Sequence, residues 1–426
     1  MNLFWFFVQL FILSCLGRKV SENDIGPKSL RLVIEVCRHG DRSPLFTFPK
    51  DVLPYWSWPQ GRGQLTPVGE RAHYELGRLL RKRYVETGFL LPTYNASQIH
   101  VRSTDIDRTL MSAMAQLSGL YPEGTASVYD TGEAFGNKVI KSGDIGLPSR
   151  WQIVPVHTVN ADWDSLLIPG KNCDRHAELQ AERENSAPFL EKTREVSPLC
   201  KKIMKVTGLS ACDLYTVSDI NDTFTVDEAH GIPIDVSITA EERKQIRSYA
   251  DWLTGNVNEG EDVKKFRSGH LLHEIGARLK TAAGKEDPGL LKPSKAGLKL
   301  LLLSAHDTTV GALLAGMDVF DSINPPYNST VIFELHEQKG EHYVRVQYNG
   351  QTMQLPGCDK MCQLSTFLEK LSPIMVTAEE RQKLCEVRGV RKKSSLYFIA
   401  GIVGVIFGGI LGFMGGKGAN GYRELP

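Results

Sequence analysis

The 426-residue chain has almost no excess of either charge, because 50 lysine and arginine residues stand against 49 aspartate and glutamate residues, a net charge of +1. Proteins that bind nucleic acid through its phosphate backbone need a strong positive excess, so the composition argues against a nucleic-acid partner. The sequence also lacks a Gly-x-x-x-x-Gly-Lys-Ser/Thr loop, and nucleotide binding of that type therefore has no support.

A convincing set of metal ligands is also missing. His270 and His273 lie three residues apart, which places both imidazoles on one face of a helix, and Glu274 follows them. No third ligand or acidic cluster is adjacent, so we predict a solvated helix face and no metal site.

The segment at residues 37–45 reads Cys-Arg-His-Gly-Asp-Arg-Ser-Pro-Leu and follows a mostly apolar stretch that predicts a strand. Guanidinium groups grip phosphate with paired donors, so Arg38 and Arg42 indicate an anion site, and His39 between them can attack phosphorus. The aspartate and proline of the segment indicate a turn at the carboxyl end of the strand, where open α/β sheets bind ligands. The alternative is a polar surface turn.

A second polar cluster follows a short predicted strand at residues 99–101. Arg102 comes directly after this strand, and Ser103 or Thr104 can cap the helix that follows. A cation at a helix start opposes the helix dipole unless an anion binds there, so the pattern favours an anion site over an ordinary helix-start arginine.

A third cluster follows the unbroken apolar run at residues 300–303, which predicts a buried strand. His306 and Asp307 come directly after it. The alternatives are a buried imidazole with satisfied hydrogen bonds for His306 and a helix N-cap for Asp307. Neither alternative explains why all three polar clusters follow predicted strands.

Together these segments resemble the histidine acid phosphatase family, most closely its animal lysosomal and prostatic branch. The resemblance covers nearly all of residues 30–385 and is carried by motifs at 38–44, 64–69, 102–109, 155–159 and 304–309, with smaller matches at 325–327 and 355–358. It implies an α/β fold with a mixed β-sheet flanked by helices, similar to phosphoglycerate mutase, and a smaller all-α cap domain. The helical composition between the second and third clusters agrees with such a cap.

The resemblance implies hydrolysis of phosphate monoesters with His39 as the nucleophile that becomes a phosphohistidine and Asp307 as the acid that protonates the leaving oxygen. It implies that the phosphoryl oxygens are bound by Arg38, Arg42, Arg102 and His306. The chemistry agrees, since guanidinium groups neutralise the oxygens without a metal or other cofactor, and a covalent intermediate divides a slow hydrolysis into two transfers. We expect an acidic pH optimum if Asp307 must enter protonated, because free aspartic acid titrates near pH ~3.9.

Cys37 lies beside the motif and suggests an alternative interpretation, a cysteine-dependent phosphatase. That signature needs an arginine six positions after the cysteine, and the residue there is Ser43. We therefore expect Cys37 to face the core as a small apolar side chain.

The predicted domain organisation has four parts. They are a signal peptide at 1–17, a catalytic domain at 29–386 with its helical cap at about 174–283, a transmembrane helix at 396–414, and a cytoplasmic tail at 415–426. The span is close to the ~20 apolar residues that a bilayer requires, and its glycines recur every four residues, a spacing that also permits pairing of two helices in a homodimer.

The remaining cysteines and the sequons indicate an oxidising, lumenal location. We predict disulfides Cys358–Cys362 and Cys200–Cys212 from closeness along the chain, which leaves Cys173–Cys385, a pair that the resemblance also implies. Asn-x-Ser/Thr acceptors for glycans begin at Asn95, Asn221 and Asn328.

The tail carries Tyr422 followed three residues later by Leu425, a pattern similar to the sorting signals that clathrin adaptors bind. We expect a single-pass type I protein of the lysosomal membrane with a lumenal catalytic domain that acts on small phosphomonoesters. The alternatives are a random solvated tail, a cell-surface phosphatase or nucleotidase, and an inactive receptor with a phosphatase fold.

Overall fold

The computed structural model describes residues 26–128, 146–234, 237–285 and 297–386. Its strands are β1 (Leu30–Arg38), β2 (Ile99–Ser103), β3 (Leu300–Ala305), β4 (Thr330–Gln338), β5 (Glu341–Tyr348), β6 (Gln351–Met353) and β7 (Cys362–Gln363). They form one mixed sheet in the order β2-β3-β1-β4-β5-β6, with β7 paired to β5. β1 and β2 run parallel to β3, whereas β4 runs antiparallel to β1.

The described α-helices lie between the strands of this sheet and after them along the chain. They are α1 (Pro67–Leu80), α2 (Asp107–Leu120), α3 (Asp174–Glu184), α4 (Ala187–Thr207), α5 (Leu214–Ala229), α6 (Ala240–Asn256), α7 (Glu261–Lys264), α8 (His270–Ala282), α9 (Asp307–Gly316), α10 (Leu364–Leu371) and α11 (Ala378–Cys385). α6 begins with the capping box of Thr239 and Glu242, as their spacing predicts.

Helices cover both faces of the sheet, as the α/β prediction requires. One face packs against α8, α9 and α10 around buried side chains such as Ile34, Phe333 and Leu313. The other face packs against α1 and α2 around Val33, Val101 and Leu117. Because both faces of the central strands are buried, β1 and β3 read as nearly continuous apolar runs.

A separate apolar cluster holds the helical cap together. Its members come mostly from α4, α5 and α6 and include Ile203, Phe224 and Ile246, and Phe48 from the loop after β1 inserts among them. The range predicted for the cap, about 174–283, is too long at its end, because α8 packs against the sheet rather than within the cap.

Two local predictions are wrong. The helix after β2 begins at Asp107 with Ile106 at its N-cap, so neither Ser103 nor Thr104 caps it. The predicted solvated face of α8 is largely buried, because its apolar neighbours pack on the sheet and His270 and Glu274 are 6% and 3% exposed.

The structure contains the three predicted disulfides, Cys173–Cys385, Cys200–Cys212 and Cys358–Cys362, and Cys37 is a buried free thiol in the core as expected. Within the described ranges, no helix has both the length and the apolar character that a membrane span requires. The predicted signal peptide at 1–17, the span at 396–414, and the tail with Tyr422 and Leu425 lie outside the described residues.

Candidate active site

Three loops meet where the parallel strands β1, β2 and β3 end. The amide of His39 donates to the carbonyl oxygen of Ala305 at 2.9 Å, and the amide of Thr104 donates to that of Ser304 at 3.1 Å. These hydrogen bonds continue the strand pairing into the loops. The sheet therefore fixes the positions of the residues that follow each strand.

The two imidazoles predicted to share a site do so. The ring centroids of His39 and His306 are 5.6 Å apart, and both residues are almost fully buried. Nδ1 of His39 lies 2.8 Å from the carbonyl oxygen of Gly40. A carbonyl oxygen accepts but does not donate, so the proton of a neutral His39 belongs on Nδ1 and the lone pair on Nε2. His306 Nε2 lies 3.0 Å from the hydroxyl of Thr104.

Burial and three nearby guanidinium groups lower the pKa values of these imidazoles. Burial lowers the pKa of His39 well below its ordinary value, and the positive charges of Arg108, Arg38 and Arg42 lower it further. The same combination lowers the pKa of His306. Both imidazoles are therefore neutral beside three guanidinium groups, which is an arrangement suited to an anion.

The pocket is lined by an aromatic ring as well. Arg38 lies over the ring of Tyr327, with its central carbon 4.2 Å from the ring centroid, and Arg42 lies 6.0 Å from it. The ring of Tyr327 is 5.8 Å from that of His39. Burial raises the pKa of Tyr327 to about 12, so its hydroxyl keeps its proton throughout the physiological range.

Two carboxylates hold two of the arginines. Asp307, the first residue of α9, lies 2.8 Å from the Arg38 guanidinium. Asp222 of the cap helix α5 accepts two hydrogen bonds of 3.0 Å from Arg42. Burial lowers the pKa of Arg42, but the charge and hydrogen bonds of Asp222, together with the charges of Tyr327 and Asp307, outweigh this effect, and the net shift is upward. The cap is thus tied directly to the predicted phosphate loop.

Arg102 does not occupy the predicted place. Its guanidinium donates to the buried carboxylate of Asp164 at 2.6 Å, and within the described residues it is not among the charges that shift the pKa of His39 or His306. Arg108 is the third guanidinium group whose charge lowers those two pKa values. It lies in the first turn of α2, and burial followed by repulsion from Arg42 lowers its pKa to about 10. The sequence signal for Arg108 is the argument made for Arg102, since a cation in the first helical turn opposes the dipole.

A buried polar network supports β1 beneath the site. His73 of α1 bridges the Arg38 carbonyl oxygen and the Gln116 side chain, at 3.1 and 3.2 Å. Gln116 in turn donates to both carboxylate oxygens of Glu35. The burial of Glu35 raises its pKa to about 7.

A second contact joins the cap to the loop after β1. His230, just after α5, lies 2.6 Å from the carboxylate of Asp41. The hydroxyl of Thr66, the N-cap of α1, also donates to Asp41. The loop that carries His39 is therefore held from the sheet side and from the cap side.

One predicted glycosylation site is almost fully buried. Asn221 lies inside α5, is 8% exposed, and its amide oxygen accepts a hydrogen bond of 2.6 Å from Arg243, a position that is unfavourable for a glycan. Asn95 lies in a loop and accepts from Ser97. Asn328 is half-buried, and its amide donates to the carbonyl oxygen of His39.

Comparison with known proteins finds relatives that match most of the chain. Residues 29–349 match the family model described as histidine phosphatase superfamily (branch 2). Prostatic acid phosphatase of Bos taurus is 36% identical over 86% of this chain and 90% of its own length. Lysosomal acid phosphatase of Xenopus laevis is 35% identical over 84% of this chain and 79% of its own length.

Among solved structures, the Hafnia alvei phytase in complex with myo-inositol hexakis sulphate superposes with a TM-score of 0.62 at 18% identity, covering 84% of this chain and 98% of that chain. At that identity the likeness concerns the fold alone.

Proposed function

We infer that this chain, which belongs to the histidine phosphatase superfamily (branch 2), is an acid phosphatase that hydrolyses phosphate monoesters through a phosphohistidine on His39. The observation that carries the assignment is a neutral imidazole with an available Nε2, set among the guanidinium groups of Arg38, Arg42 and Arg108. An inactive receptor is disfavoured, because the nucleophile, the anion-binding arginines and a carboxylic acid are all present.

In the first step the three arginines hold the phosphoryl oxygens while Nε2 of His39 attacks phosphorus. The N–P bond forms as the P–O bond to the leaving group breaks. Asp307, in its protonated form, gives its proton to the leaving oxygen, which departs as an alcohol. His306 adds a donor to the phosphoryl group when its Nε2 carries the proton.

In the second step a water molecule attacks the phosphohistidine. Asp307, now a carboxylate, accepts a proton from that water, the N–P bond breaks, and inorganic phosphate leaves. The lowered pKa of His39 favours this cycle at acidic pH, since the nucleophile stays unprotonated where a free imidazole would carry a charge.

Trapping the intermediate tests the function. The chain is mixed with a phosphomonoester labelled in the phosphate and quenched in alkali, in which phosphohistidine survives. We expect label on the wild-type protein and none on His39→Ala. Cys37→Ala is the matched control at the neighbouring buried residue and should keep the label. Label that persists in His39→Ala and vanishes in Cys37→Ala would overturn the assignment in favour of a cysteine nucleophile.

The location we propose is the lysosomal lumen, with a type I anchor at 396–414. Three disulfides support an oxidising compartment, and the similarity to lysosomal acid phosphatases supports the lysosome. Tyr422→Ala should move the protein from lysosomes to the cell surface in immunofluorescence if the tail binds a clathrin adaptor. Surface exposure of the wild type would favour the ecto-phosphatase alternative, and cross-linking in membranes tests the proposed homodimer.

A further inference from the structure

A small cavity lies between the cap and α9, beside the proposed acid. Its volume is about 60 Å³, and the residues around it include Asp307, Thr308, Asp222, Asn258 and Arg267. Since Asp307 is proposed to protonate the leaving oxygen, the atoms attached to that oxygen extend into this cavity. It is therefore a leaving-group site and distinct from the phosphate site formed by the arginines of the other loops.

Not every charged side chain around this cavity forms an ion pair. Asp307 is paired with Arg38 and Asp222 is paired with Arg42, so both carboxylates already have cationic partners. Arg267 is 8% exposed and donates through Nε to the amide oxygen of Asn258 at 2.8 Å. Among the described residues it forms no ion pair with a carboxylate.

A buried cation without a carboxylate partner is unfavourable unless another anion approaches. Burial and then repulsion from Arg183 lower the pKa of Arg267 to about 10, against a smaller opposing effect of the Asp307 charge, so Arg267 still carries its charge at acidic pH. The cavity volume of about 60 Å³ is several times the ~10–15 Å³ that is needed to admit one water molecule, so a carboxylate fits into it.

We propose that Arg267 and Asn258 form a subsite for a carboxylate on the leaving group, so that the preferred substrates are small phosphomonoesters with a carboxylate within a few bonds of the ester oxygen. This inference rests on the proposed function, because it places the leaving group beside Asp307. Arg267 is a specificity-determining residue and takes no part in the transfer itself.

The test compares two esters of similar size with the full-length chain in detergent at pH 5. Phosphoglycolate carries the carboxylate and ethyl phosphate does not, and the readout is the ratio of their kcat/KM values. We expect the wild type to favour phosphoglycolate and Arg267→Gln to lower the ratio about tenfold, the effect of losing one hydrogen bond to a charged group. Arg247→Gln, the same change at an exposed arginine of α6, should leave the ratio unchanged.

Asn258→Asp gives an independent answer if Arg267→Gln does not fold. It places a carboxylate against the guanidinium at nearly unchanged volume, so it should lower the ratio in the same direction. Equal rates for both esters in the wild type, or a ratio that both variants leave intact, would overturn the subsite alone. Failure of the wild type to hydrolyse either ester would overturn the proposed function and the subsite with it.

Discussion

The carboxylate of Asp307 lies 2.8 Å from the guanidinium of Arg38, and both side chains are about nine-tenths buried or more. Arg38 ends β1 opposite Ala305 of β3, so the register of the two central strands brings the phosphate-binding arginine to the proposed acid. A phosphate that binds Arg38 competes with this ion pair and brings negative charge next to Asp307.

Arg108 and Arg102 should respond differently to the same substitution. Arg108→Ala removes a guanidinium that acts on both imidazoles, and we expect kcat/KM to fall about 10²–10³-fold, as when one preorganised donor is lost. Arg102→Ala leaves the buried Asp164 carboxylate unpaired. We expect it to lower the free energy of unfolding by about 3 kcal/mol with a kcat/KM loss under about tenfold.

The measurements are steady-state kinetics with ethyl phosphate and urea unfolding of both variants. The reverse outcome, with a collapse of kcat/KM in Arg102→Ala and a stable protein of nearly normal activity in Arg108→Ala, would restore the assignment that the sequence alone favours.

The positive charge of Arg108 should also be visible in the titration of His39. The repulsion lowers the pKa of His39, so Arg108→Gln should raise it and move the acid limb of kcat/KM to higher pH. The shift is measured by NMR of labelled histidine and by the pH profile. Lys50→Gln, at a residue that is exposed and binds the Lys205 carbonyl oxygen, is a charge-matched control. An unchanged His39 titration in Arg108→Gln would show that the charge of Arg108 does not contribute to the lowered pKa.

These two arginines show where sequence reasoning stops. Strand-end position and polar type correctly predicted that Arg38, His39, His306 and Asp307 converge, because hydrogen-bonded parallel strands end at one edge of a sheet. The direction of a side chain at a strand end depends on the next segment to pack there. The segment that contains Asp164 captures Arg102, and no local pattern reveals a contact 62 residues away in sequence.

The sequence predicted that the cap is helical, but it did not predict where the cap ends. Helical composition and the capping box of Thr239 located its helices, but the amphipathic pattern of α8 is the same whether its apolar face packs on the cap or on the sheet. Asn221 shows a related limit of prediction from sequence. A glycosylation acceptor is recognised from three consecutive residues, whereas the burial of Asn221 depends on α6, which packs across the cap.

Buried histidines should weaken the fold as the pH falls. Burial lowers the pKa of His270 from 6.5 to about 4. Between these values the unfolded chain binds a proton that the folded chain does not, so stability decreases as pH decreases, by about 1.4 kcal/mol per pH unit. His270→Asn should reduce the loss of unfolding free energy between pH 7 and pH 5 by about 2 kcal/mol. An identical loss in wild type and variant, measured by urea unfolding, would contradict the shift.

Glu35 should act in the opposite direction. Its pKa is raised from 4.5 to about 7 by burial, despite the hydrogen bonds from Gln116. Between these values the folded chain binds the proton, so this contribution is present at low pH and is lost as the pH rises through 7. Glu35→Gln keeps the shape of the side chain but cannot titrate. The unfolding free energy of the variant, relative to that of the wild type, should therefore increase from pH 5 to pH 7.5. A constant difference between the two proteins would count against a protonated Glu35.

The role of Asp307 is best tested by varying the leaving group. Ethyl phosphate needs a proton on its poor alkoxide leaving group, whereas p-nitrophenyl phosphate releases a stable anion that needs little help. Asp307→Asn keeps the shape beside Arg38 and removes the transferable proton. We expect single-turnover phosphorylation of His39 to fall about 10²–10⁴-fold with ethyl phosphate, the usual range for general acid catalysis, and far less with p-nitrophenyl phosphate. Equal losses for both esters would assign Asp307 to holding Arg38 in place, and another group would then have to supply the proton.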